Sequence, residues 1–93
     1  MRRYVPWYKG NMTTVERVQT GVRMERSLLK VLKGLAEYLN LSLGDLLEGI
    51  VLHAFEGEQV FGAPTLAVIA ELKRIYGCDL TGADSHQLTE SEA

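Results

Sequence analysis

Ninety-three residues, 46% of them hydrophobic, fit one folded domain and exclude a disordered chain. No apolar run approaches the roughly 18 residues of a membrane span, and the opening MRRYVPWYKG lacks the apolar core of a signal peptide. The single cysteine, Cys78, excludes an internal disulfide and suits a reducing cytoplasm, the expected location. The formal net charge is −2, but it is unevenly spread. Residues 1–33 carry eight basic and two acidic side chains, a formal +6, and residues 34–93 carry two basic against ten acidic, a formal −8. A basic first third is the footprint of a phosphate-facing surface.

Residues 1–17 form a basic and aromatic arm. Tyr4, Trp7 and Tyr8 are interleaved with Arg2, Arg3 and Lys9, and Pro6 and Gly10 break any regular element. Two readings stand. The arm lies along a DNA backbone or minor groove, or its aromatics, Trp7 first, pack on the folded core. Arg2 and Arg3 reach phosphate under either.

From Val18 to Met24 the residues alternate between two faces, as a strand does. Val18, Thr20, Val22 and Met24 fall on one face; Gln19, Gly21 and Arg23 fall on the other. A lone strand leaves its N–H and C=O groups unpaired, so this one is expected to pair antiparallel with its copy in a second chain.

A first helix follows, capped by Ser27 or starting nearer Glu25. Leu28, Leu32, Leu35 and Leu39 make one stripe, widened by Leu29 and Ala36, while Arg26, Lys30, Lys33 and Glu37 face water. Gly34 in mid-helix marks close packing. Asn40 is a left-handed stop. Ser42-Leu43-Gly44-Asp45 reads as a capping box opening a second helix. Its expected buried stripe is Leu43, Leu47, Ile50, Val51 and Ala54, with Leu46 and Phe55 beside it, and Gly57 ends it.

The 38 residues from Val18 to Phe55 resemble the ribbon-helix-helix family of DNA-binding proteins in strand, helix lengths, short turn and the serine opening the second helix. The fold implied is mostly α with one short strand: a dimer built on an intermolecular antiparallel two-stranded ribbon, with a third helix added at the C-terminal side. The function implied is a sequence-specific DNA-binding transcriptional regulator, a repressor or antitoxin-like protein, whose dimeric β-ribbon reads the major groove. Carried over position by position, Gln19, Gly21 and Arg23 are the base-contacting positions, and Ser42, Leu43 and Gly44 hold a phosphate. Arg26, Lys30, Arg2 and Arg3 supply further phosphate contacts.

The chemistry of these residues supports that assignment separately. Arginine can donate two bonds to guanine O6 and N7, and glutamine can pair with adenine N6 and N7. A helix N-terminus offers free N–H groups and the positive end of its dipole to phosphate. Two positions depart from the pattern: Gly21 presents no side chain, and Asp45 puts negative charge near the proposed phosphate. The competing reading is a solvated strand face and a plain helix cap, in a dimeric interaction module of the same fold that does not bind DNA.

Beyond Gly57, residues 58–64 form a loop whose Val60 and Phe61 plug back into the core. Thr65 to Tyr76 reads as a third helix, with Pro64 or Thr65 at its start and Gly77 past its end. Leu66, Ile69, Leu72, Lys73 and Tyr76 share one side, with Val68 and Ile75 on another. This helix covers the core or joins dimers into a tetramer. Residues 78–93 form an acidic polar tail, a candidate contact for a protein partner. The chain thus divides at 1–17, 18–57, 58–77 and 78–93.

His53, His86 and Cys78 do not make a close-spaced ligand set, so neither metal nor cofactor is expected. No phosphate-cradling glycine loop, nucleophile elbow or catalytic carboxylate pair is present, so an enzyme is not expected and no catalytic residue is assigned. Val22, Met24, Leu28, Leu32, Leu47 and Ile50 exceed what one copy of so short a motif buries, which predicts an obligate homodimer with an apolar interface above about 2,000 Å².

Overall fold

The computed structural model describes residues 13–91, and the arm residues Arg2, Arg3, Tyr4, Trp7, Tyr8 and Lys9 lie outside them. Three helices follow one another: α1, Arg26–Leu39; α2, Leu43–Phe55; and α3, Ala63–Tyr76. A 3-10 turn, Gly82–Asp84, comes after them.

The expected strand does not form, and with it the ribbon and the mixed fold class are overturned. Among the described residues there is no strand. Alternation implies one buried and one wet face, yet Val18 is 78% exposed and Val22 75% exposed. A strand is stabilised by its ladder and by cross-strand side-chain pairs. Residues 13–24 have neither, so the alternation has no face to bury, and the described residues are all-α.

The helices start and stop where local chemistry directs. The N-cap of α1 is Glu25, not Ser27. Its carboxylate accepts the Leu28 N–H at 2.8 Å and the Ser27 hydroxyl at 2.7 Å, so Ser27 supports the cap from inside the first turn. Asn40, at φ 59°, ends α1 in the left-handed region, and the Leu41 N–H turns back to the Ala36 carbonyl at 2.9 Å. Ser42 caps α2, its hydroxyl oxygen accepting the Asp45 N–H at 3.1 Å. Helix α3 begins two residues before the expected Thr65, with Gly62 as N-cap and Pro64 in the first turn, where a missing N–H costs nothing.

The core sits where α1 crosses α3 and the start of α2. Leu35, Ala36 and Leu46 are buried, and Leu32, Leu39, Leu41, Ile50, Phe61, Val68, Ile69 and Leu72 pack around them. Phe61 therefore does return to the core. Gly34 is a contact point: a Cβ built there would lie 3.1 Å from Leu72 Cδ2 and 3.6 Å from Tyr76 Cε2. The close packing read from the sequence is the approach of α3.

The α1 stripe is rotated slightly from expectation. Val31, which the spacing rule did not select, is buried, while Leu28 and Leu39 are half-buried. The α2 stripe is corrected more strongly. Leu46 is its buried residue, whereas Val51, Ala54 and Phe55 are exposed. Leu66 and Tyr76 of α3 are exposed too, and Ile69, Leu72 and Lys73 make its inner side.

The tail is more structured than its polarity suggested. Gly77 at φ 66° turns the chain out of α3, and Cys78 behind it is buried. Lys73 Nζ donates to the Leu80 carbonyl at 2.6 Å. Thr81 then caps the 3-10 turn: its oxygen accepts the Ala83 N–H, and the Asp84 carboxylate accepts the Thr81 N–H at 2.8 Å.

Candidate nucleic-acid interface

The base-contact candidates lie on the irregular segment that leads into α1. Gln19, Gly21 and Arg23 are all exposed. Nothing lies within 4 Å of a Cβ built at Gly21, so its lack of a side chain answers to no packing constraint. The Arg23 side chain is 82% exposed and pairs with Glu90. Arg26 opens α1 and is exposed. One turn further, Lys30 places its Nζ 6.0 Å from the centre of the Tyr76 ring, the outer limit of a cation–π contact.

The phosphate-clamp candidates occupy the start of α2. Ser42 and Gly44 are exposed and Leu43 is half-buried. The Ser42 hydroxyl is engaged by Asp45 N–H, as any cap would be, so the exposed serine and glycine identify an accessible helix start and not yet a ligand.

A residue with no assigned role joins the two places. Arg17 forms a two-pronged pair with Glu48, Nε to Oε2 at 2.9 Å and Nη2 to Oε1 at 2.8 Å. It also lies 3.9 Å from Asp45 Oδ1. The hydrogen bond to Glu48, then its charge, raises the Arg17 pKa, and the same bond lowers that of Glu48. The segment before α1 is thereby fastened to the first turns of α2, on the side that carries Asp45. No spacing rule could have found this pair, because its members are 31 residues apart. Arg17 and Arg23 are thus both paired with carboxylates from later in the chain.

Among the described residues, no group of three or more His, Cys, Asp and Glu side chains could hold a metal ion. His53 is exposed, with Nδ1 2.8 Å from the Gly49 carbonyl of its own helix. No helix of the described residues is long and apolar enough to cross a membrane.

Comparison with protein-family models, with curated proteins and with solved structures finds no match for this chain.

Proposed function

We propose that this protein is a DNA-binding transcriptional regulator that acts as a homodimer. Its contacts would be Gln19 and Arg23 toward base edges, and Arg26, Lys30 and the start of α2 toward phosphates. The observation that carries the reading is the exposure of Gln19 and Arg23 within a third of the chain whose formal charge is +6. Guanidinium and amide groups on an accessible backbone suit hydrogen-bonding base edges, and the surrounding cations suit the phosphates on either side. The dimer rests on a second observation. Val51, Leu52 and Phe55 leave an apolar surface on α2, with Phe55 82% exposed, and a second copy would cover it. Such a regulator works in the compartment that holds the DNA, and the one free cysteine suits a reducing cytoplasm.

A second reading is an interaction module that does not bind DNA. It is favoured by the ion pairs that already engage Arg17 and Arg23 with carboxylates. Salt-dependent binding to a random-sequence duplex separates the two. The regulator binds at low salt, with an affinity that falls steeply as salt rises. Absence of binding even at low salt overturns it.

A further inference from the structure

The segment after the 3-10 turn comes back to the start of α1. The fold directs it there: Cys78 is buried, Lys73 holds the Leu80 carbonyl, and Thr81 and Asp84 lock the turn. His86 adopts a left-handed φ of 65°, unusual for a residue with a side chain, which redirects the chain beyond it. Residues 88–91 then line one wall of a cleft of about 800 Å³. The facing wall includes Val22, Arg23, Arg26 and Leu29. Within this cleft the Glu90 carboxylate meets the Arg23 guanidinium, across 67 residues of sequence.

We propose that the acidic C-terminal segment is a built-in competitor for the nucleic-acid surface, with Glu90 occupying Arg23 until DNA displaces it. The inference rests on the DNA-binding reading above. A carboxylate offers a guanidinium the same paired oxygen acceptors as a phosphate, so tail and DNA compete for one group. Arg23 is also the residue best suited to read a guanine, since its planar fork donates two parallel bonds. The pair is exposed, with side chains 82% and 67% accessible, so it is weak and can be displaced. Weakness of this order suits a competitor that raises the threshold for binding without abolishing it. It also sharpens selectivity, because random sequence repays the loss of the pair with one phosphate contact and a matched guanine repays it with two base bonds.

The test compares the full-length chain with Glu90→Gln, Arg23→Ala and the double variant on a random-sequence duplex across a salt series. Glu90→Gln is expected to bind about two- to fivefold tighter, the range of an exposed ion pair. Its salt slope should stay close to the parent's, because both complexes hold the same Arg23 contact once Glu90 has been displaced. The double variant should match Arg23→Ala alone. The clasp is overturned if Glu90→Gln binds as the parent does. It is also overturned if Glu90→Gln gains equally in the Arg23→Ala background, which would show a general charge effect. If no variant binds even at low salt, the DNA-binding reading falls and the clasp falls with it. Binding by the parent with an unchanged Glu90→Gln removes the clasp alone.

Discussion

Two faces of this small fold are built from similar residues and finished differently. Where α1 meets α3, Leu35 is 2% exposed, Ala36 4% and Val31 6%, and Gly34 has given up its side chain to let Leu72 approach. On the outer face of α2, Leu52 is 64% exposed and Phe55 82%, with Val18 and Val22 equally uncovered on the segment before α1. The first face is closed within one chain. The second has the composition of a core and the exposure of a surface, and apolar patches of that kind mark association sites. The difference teaches that α3, which lies outside the two-helix pattern legible at Val18 to Phe55, is what completes the fold of a single chain.

The largest expected effect is at the closed face. Leu35→Ala should cost about 2–5 kcal/mol, the range for emptying a well-packed leucine site. Denaturant unfolding would measure it, and the loss should not depend on protein concentration. Phe55→Ala should behave in the opposite way. Its thermal midpoint should match the parent's at concentrations too low for either chain to associate and fall further below it as concentration rises, as mass action requires when a dimer supplies the burial. Equal, concentration-independent losses at both sites would erase the distinction between the faces.

Gly34→Leu sharpens the comparison from inside α1. Four added carbons at a position already 3.1 Å from Leu72 should overpack the α1–α3 contact by about 1–3 kcal/mol, despite leucine's better helix propensity. A gain in stability would mean that α3 moves aside freely.

Arg23→Ala addresses the open side. On a duplex selected from a random library it should cost about 1–3 kcal/mol and relax the preference at one base pair. Lys30→Ala should weaken selected and random duplexes alike and reduce the salt slope by about one. Unfolding of Arg23→Ala would make the residue structural, against its 82% exposure.

Smaller still is Ser42→Ala, expected to cost about 1 kcal/mol by freeing the Asp45 N–H at the start of α2. A loss of DNA affinity beyond that stability change would add a phosphate role to the capping one.

The smallest effect is acid sensitivity at the start of α1. Hydrogen bonds from the Ser27 hydroxyl and then the Leu28 N–H hold the Glu25 carboxyl below its ordinary range. A lowered folded-state pKa contributes stability above the unfolded value, and that contribution is lost as pH falls through the lowered one. The helical signal should therefore weaken on acidification below the usual carboxylate range, and Glu25→Gln should remove part of that dependence. A helical signal as acid-sensitive in Glu25→Gln as in the parent would count against this cap.

The helices were legible because their signals are local. Ser42, Asn40 and Gly77 act on backbone groups within four residues of themselves, and the 3.6-residue spacing of Leu28, Leu32, Leu35 and Leu39 needs no partner to be seen. The candidate contact residues were legible by type, but not by what holds them. Arg17 with Glu48 and Arg23 with Glu90 are pairs that only folding brings together, and both lie on the face proposed to meet DNA.

By itself, the sequence determined three helices, the stops at Asn40 and Gly77 and the cap at Ser42, the close approach at Gly34, and a basic first third ahead of an acidic remainder. Tertiary structure alone decided which apolar residues are covered. It left Val18 and Val22 exposed, because alternation specifies two faces but cannot supply a ladder partner. It buried Val31 and Leu46 and left Val51 and Phe55 in water, because α3 lies against α1 and does not extend over the end of α2. Burial depends on what arrives from elsewhere in the chain, and a pattern in one helix carries no record of that.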